Sequence, residues 1–241
     1  MRIVDCQQGS ARWHHARSGR PTASRFADIV TSTGKAVTGA KREGYMLELL
    51  AERLTGRVTE HFVSAAMERG TRLEPVARSW YTMETGRKVL QVGFVYGLDG
   101  KAGGSPDGLV GDDSGLEVKC LGDKNHLDVL LSGKVPALYV PQVQGCMWVC
   151  ERASWDFVAY TDSKLPSVII PCERDEKVIA GLAEHVPAFI AELDAKEADL
   201  RAKYGIAPPD AVDLEQVSGD WCDIPDVPLA DSEKPWLKGG E

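Results

Sequence analysis

The hydrophobic pattern divides the chain into three stretches. The first has helical spacing. Phe26, Ile29 and Val30 form a short stripe over 22–31 behind the candidate caps Thr22 and Ser24, and Tyr45, Met46, Leu49, Leu50 and Leu54 form a longer one over 40–54. A third helical pattern covers 62–84, where Pro75 predicts a kink or a restart because it lacks an N–H and crowds the preceding turn. In the second stretch the period falls to two. Strands are expected over 88–96, 103–110 and 115–120, with turns at 97–100 and 111–115. Helices over 124–132 and 138–151, strands over 154–161 and 167–172, and a long helix over 174–203 follow. Helices, a three-strand meander, a helix, two strands and a helix predict an α/β fold with a mixed central sheet flanked by helices. In the third stretch, after Gly205, the pattern dissolves into a Pro- and acid-rich segment. The chain therefore reads as one domain over 1–204 and a weakly structured tail over 205–241.

Composition narrows the class. Apolar residues make up 43% and charged residues 27%, which excludes a fibrous or disordered chain. No apolar run is long enough to span a membrane, and the N-terminus has no secretory apolar core, so the expected compartment is the cytoplasm. The six cysteines include no C-x-x-C pair, and Cys146 and Cys150 lack companions for a zinc site, so reduced thiols are expected. The net charge of −8 by itself argues against nucleic acid, but its distribution softens that inference. Residues 1–60 carry ten Lys/Arg against six Asp/Glu, whereas 171–241 carry seven against 17. A chain that grips DNA through a local basic channel needs cations in one place, not a positive total.

The candidate chemistry lies in Ser105-Pro106-Asp107-Gly108-Leu109-Val110 and Gly115-Leu116-Glu117-Val118-Lys119-Cys120. Residues i and i+2 of a strand share a face, so Glu117 and Lys119 project together and a hairpin brings Asp107 beside them. Two close carboxylates repel unless a cation sits between them. Mg2+ takes one or two carboxylates with water and phosphate, and Mn2+ suits the same oxygens. Such an ion polarises a phosphoryl oxygen and activates water, Lys119 adds a positive charge at the attacked phosphate, and the Val118 carbonyl is a further candidate ligand. Glu74, on the preceding helix, is a third carboxylate. The competing reading is a solvated hairpin with a surface ion pair. The apolar neighbours Leu116, Val118 and Cys120 weigh against it, because an unpaired carboxylate among them is costly.

These residues form the P-D…(D/E)-x-K pattern, and together with other stretches they resemble the lambda exonuclease and YqaJ-type viral recombinase family of the PD-(D/E)XK nucleases. The matching stretches, in chain order, are Gln8-Gly9-Ser10 with Trp13-His14 and Arg17; Thr22-Ala23-Ser24; Gly70, Glu74 and Ala77-Arg78; the two segments above; Gln142-Val143-Gln144 with Met147-Trp148-Val149; and Glu173 to Lys177. The resemblance implies that Asp107 and Glu117 bind the metal with help from Glu74, that Lys119 orients water, and that Gln144 holds the water or phosphate region. It implies that Arg17, with Ser24 and Ser105, binds a 5′ phosphate, and a guanidinium does fork onto phosphate oxygens. Trp13 is a candidate for stacking on a terminal base or for the core, and Arg25 for the DNA backbone. The activity implied is 5′→3′ degradation of one strand of linear duplex DNA to mononucleotides, leaving 3′ overhangs. The implied setting is a phage or prophage protein in a bacterial host, often a trimeric ring, working with a single-strand annealing protein. The alternatives are an endonuclease of the same fold and a non-catalytic module for DNA ends. The acidic tail reads as solvating, or as a DNA mimic that restrains non-specific binding.

Overall fold

A computed structural model describes residues 1–59 and 64–217. Residues 60–63 and 218–241 lie outside the described residues, and with them Cys222, the expected start of the third helix and most of the expected tail. The elements are β1 (Arg2–Val4), α1 (Ala11–Arg17), a 3-10 helix (Ala23–Asp28), α2 (Ala40–Thr55), α3 (Ala65–Thr85), β2 (Val89–Leu90), β3 (Phe94–Gly97), a second 3-10 turn (Leu98–Gly100), β4 (Ala102–Gly104), β5 (Gly108–Val110), β6 (Ser114–Lys119), α4 (Asp123–Ser132), α5 (Val140–Val149), β7 (Ser154–Ala159), β8 (Val168–Glu173) and α6 (Glu176–Tyr204).

The central sheet is mixed, as expected. Its order is β2-β5-β6-β7-β8, with β6 and β7 parallel and the other pairs antiparallel. Helices cover both faces. On one, Ala77 and Tyr81 of α3 pack on Val110, Leu116, Val118 and Val158. On the other, α2, α5 and α6 bury Leu49, Met147, Phe189 and Leu193 with Trp155 and Phe157. The helix ends follow capping chemistry. Ser10, Ser64 and Asp175 accept backbone N–H groups at the starts of α1, α3 and α6, and Gly56, Gly86 and Gly205 take left-handed conformations after α2, α3 and α6.

Two expectations are corrected. The meander does not form one sheet. The strand expected over 88–96 divides into β2 and β3, and the one over 103–110 divides into β4 and β5. The halves β3 and β4 join β1 in a separate sheet of order β1-β3-β4. Near the break, Gly93 lies so close to Cys6 that a Cβ there would stand 2.4 Å from its carbonyl oxygen. Pro75 does not restart its helix, because α3 runs through it.

Gly115 of β6 faces the indole of Trp155, whose atoms come within 2.3 Å of where a Cβ would sit. Trp155 is fully buried, so the ring has no space to yield. Gly115→Ala is expected to cost about 1–3 kcal/mol through overpacking, read as a lower urea midpoint. An unchanged midpoint would show that the indole shifts freely.

Candidate active site

The division of the sheets creates the site. β5 pairs with β6 through Gly108–Leu116, and the chain then leaves the ladder at Pro106-Asp107 to reach β4. Beyond Leu116, β6 therefore has no strand on that side among the described residues. Extending the register sets Asp107 across from Glu117, where opposed Cβ atoms of an antiparallel pair stand about 4.5–5.5 Å apart. The Asp107 carboxylate fills the gap by accepting the Val118 N–H at 2.6 Å. A strand residue points its N–H and C=O to one side. The neighbouring Lys119 carbonyl accepts Tyr160 N–H on the β7 side, so the Val118 carbonyl faces Asp107.

Glu117 is buried, with 1% of its surface exposed. Its Oε1 receives Lys119 Nζ at 2.5 Å and Gln142 Nε2, from the start of α5, at 2.5 Å. Its Oε2 is buried without a hydrogen-bond partner. The Lys119 ammonium also lies 5.2 Å from the centre of the Tyr139 ring. Glu74 is held by Arg78, one turn along α3, and Arg78 meets the Gln91 amide when that group is oriented to accept.

The electrostatics tie these groups together. Desolvation, then the charges of Glu117 and Glu74, push the Asp107 carboxyl well above the usual carboxylate range, against Lys119 and the Val118 N–H. Burial also raises Glu117, with Lys119 opposing. Burial alone would lower Lys119, but the two carboxylates outweigh it and hold the ammonium above its ordinary value. Among the described residues, no three His, Cys, Asp or Glu side chains form a ready metal cage. The donor set nevertheless suits a hard cation that retains water. It offers two repelling carboxylates, an orphaned Oε2 and an inward carbonyl.

A second cluster adjoins the first. Trp13 Nε1 donates to Ser105 Oγ at 2.8 Å, and the Arg17 guanidinium stacks 3.9 Å from the centre of the Trp13 ring. Among the described residues the Arg17 side chain makes no hydrogen bond or ion pair, and burial lowers its pKa against the more distant charges of Glu52 and Glu48. Thr22 pairs in parallel with Gly103, and two residues further on the two chains reach Ser24, which is exposed, and Ser105. Ser105 and Asp107 are two residues apart, at most about 7 Å along the chain. Gln8 fixes this segment by donating to Val92 and Pro106 carbonyls at 3.1 and 2.9 Å.

The geometry thus brings together Asp107, Glu117, Val118, Lys119 and Glu74, and beside them Trp13, Arg17 and Ser105. One expected site residue lies elsewhere. Gln144 uses its amide at the start of α6, donating to Glu173 O at 2.9 Å and accepting from Asp175 N at 2.9 Å. Gln142 occupies the position at Glu117 instead. Two positions along a helix differ by roughly 200°, so only one of the two glutamines can face β6. Arg25 is engaged by Asp28 at 2.6 Å and Glu48 at 3.2 Å.

The description "YqaJ-like viral recombinase domain" matches residues 12–153, more than half of the chain and all of the residues brought together here. The chain belongs to the YqaJ-like viral recombinase family. It is similar to LHK-Exo, an alkaline exonuclease from Laribacter hongkongensis, at 39% identity and TM-score 0.74 over 81% of this chain and 98% of that one. LHK-Exo in complex with dAMP matches at 40% identity over the same shares, with TM-score 0.74. A phage-related exonuclease from Haemophilus somnus 129PT, at 16% identity and TM-score 0.58 over 75% of this chain and 96% of that one, shares the fold. ExoD of Escherichia coli (strain K12) is 35% identical over 75 residues, which is 30% of this chain and 84% of that protein. The YqaJ-like chain thus has the PD-(D/E)XK fold, with a mixed sheet flanked by helices. Among the described residues no helix is long and apolar enough to cross a membrane.

Proposed function

We propose that this YqaJ-like chain is a divalent-metal-dependent deoxyribonuclease that degrades one strand of linear duplex DNA from its 5′ end to 5′ mononucleotides. The observation that carries the reading is the adjacency of the two clusters. A guanidinium with no side-chain ion pair among the described residues stacks on Trp13, the Trp13 indole donates to Ser105, and Ser105 lies two residues along the chain from Asp107 of the buried carboxylate pair with its lysine. An end phosphate on Arg17 places the next phosphodiester toward Asp107 and Glu117, and cleavage there releases one nucleotide. The likeness to LHK-Exo, for which a dAMP complex is known, supports this product class.

Asp107, Glu117 and the Val118 carbonyl would hold Mg2+ or Mn2+, with Glu74 assisting from α3. The bound cation supplies Lewis-acid polarisation of the phosphodiester and a more acidic water. Lys119 then places its ammonium where negative charge develops, in a site of low dielectric. Gln142 fixes the Glu117 carboxylate so that Oε2 remains free for the cation. Trp13 and Ser105 hold Arg17 by ring stacking and by fixing the indole. In this reading residues 1–204 form the nuclease unit. The 3′ overhangs pass to a single-strand annealing protein, and the enzyme acts as a homo-oligomer of the trimeric ring kind.

Arg17→Ala tests the end pocket. Loss of charge-assisted phosphate contacts worth about 1.5–3 kcal/mol is expected to lower kcat/KM by about 10- to 100-fold on 5′-phosphorylated duplex, with little effect on 5′-hydroxyl duplex. Equal losses at both ends would remove the pocket from the account.

A further inference from the structure

Residues 206–217 contain no helix or strand, yet they follow a definite course over the molecule. Arg201 Nη1 donates to the carbonyls of Ile206 and Ala207 at 3.4 and 2.7 Å, which turns the chain back after Gly205. Pro209 then passes so close to Gly56 that its Cβ lies 2.8 Å from where a glycine Cβ would project. Leu214 packs on the apolar cluster of Val4, Ala16, Phe94 and Tyr96. Trp13 packs on that same cluster, and its ring carries Arg17 while its indole N–H fixes Ser105.

The charges of this segment all have one sign. Asp210, Asp213 and Glu215 are exposed, and 206–217 contains no Lys or Arg. Asp213 caps a local turn, accepting Glu215 N–H at 3.0 Å and the Gln216 amide at 2.9 Å. Among the described residues none of the three acids has an ion pair, so their field is not cancelled where they stand. At 0.1 M salt, charges act on one another across about 10 Å.

We infer that residues 206–217 are an acidic strap, pinned by Leu214 on the cluster beneath Trp13, that holds negative charge beside the Arg17 pocket and weakens its grip on 5′-phosphorylated DNA ends. The inference rests on the reading of Arg17 as the end-phosphate pocket. The strap repels the approaching phosphate most strongly at low salt, so that end binding depends on salt less steeply than Arg17 alone would make it.

The test measures binding of full-length protein to duplex DNA by fluorescence anisotropy without divalent metal, with 5′-phosphorylated and 5′-hydroxyl ends compared. Asp210→Asn with Glu215→Gln removes two charges and leaves the Asp213 turn intact. Leu214→Ala releases the strap from its cluster and leaves every charge in place. Each variant is expected to bind the phosphorylated end about three- to ten-fold tighter than the unsubstituted chain at low salt, with a smaller gain on the hydroxyl end and convergence at high salt. Unchanged low-salt affinity, or the same gain at both ends, would overturn the strap. If the unsubstituted protein does not distinguish the two ends, the Arg17 reading itself is wrong.

Discussion

Lys119→Gln is expected to reduce hydrolysis of linear duplex DNA by about 1000-fold or more, with DNA-end binding retained. Lys119 is the cation beside the carboxylate pair, and a fixed charge at a developing anion in a low-dielectric site contributes several kcal/mol. Tenfold in rate corresponds to about 1.4 kcal/mol, so a loss of about 4 kcal/mol gives the stated factor. Glutamine is preferred to alanine here. It can still donate toward Glu117 Oε1, whereas deleting one member of a buried ion pair can destabilise the fold by about 3–5 kcal/mol. Single-turnover rates at saturating protein, together with a normal far-UV spectrum, separate lost chemistry from lost structure. Retention of more than a tenth of the rate would exclude Lys119 from the chemical step.

The second large effect concerns stability without metal. Folding raises the Asp107 pKa by desolvation and by repulsion from Glu117 and Glu74, so the folded state favours the protonated acid. Stability from such a group is fully present below the unfolded pKa of about 3.9 and is lost as pH rises through the raised folded value. As pH rises, the buried Asp107 carboxyl therefore carries a growing cost in the metal-free protein. Asp107→Asn removes it and still presents an oxygen to the Val118 N–H. The variant is expected to melt higher than the unsubstituted protein in EDTA at neutral pH, by about 2–4 °C per kcal/mol of repulsion removed. The advantage should shrink as pH falls and Asp107 protonates. Adding Mg2+ is expected to reverse the order if Asp107 is a metal ligand as proposed, because a ligand at 100 times its Kd would stabilise the unsubstituted protein by about 2.7 kcal/mol and leave the variant unchanged. A lower Tm for the variant in EDTA would show that Asp107 is a favourable charge in the fold, against this account.

The reactive core of the site was legible because it depends on a short-range rule. The period of two places Glu117 and Lys119 on one face, and the register Gly108–Leu116 then carries Asp107 opposite Glu117. The partition of strands between two sheets was not legible. Val89 to Val95 alternates almost continuously, and the break is imposed by a tertiary approach, Gly93 against Cys6. The exchange of Gln144 for Gln142 has a similar origin. Both glutamines sit in a helix that is apolar around much of its surface, so the sequence does not mark which face meets β6. Arg25 shows a partial signal. Asp28, three residues along, is a visible partner, whereas Glu48 comes from α2. The unpaired state of Arg17 follows only from the arrangement of its neighbours, since the sequence shows several arginines of equal standing over residues 12–25.

The most direct test of the central claim is a product analysis in Mg2+ on linear duplex DNA with one strand 5′-phosphorylated and the other 5′-hydroxyl, beside a covalently closed circle. The account predicts that the phosphorylated strand is consumed from its 5′ end to mononucleotides, that the hydroxyl strand persists, and that the circle is untouched. Nicking of the circle, or release of oligonucleotides from internal positions, would contradict it.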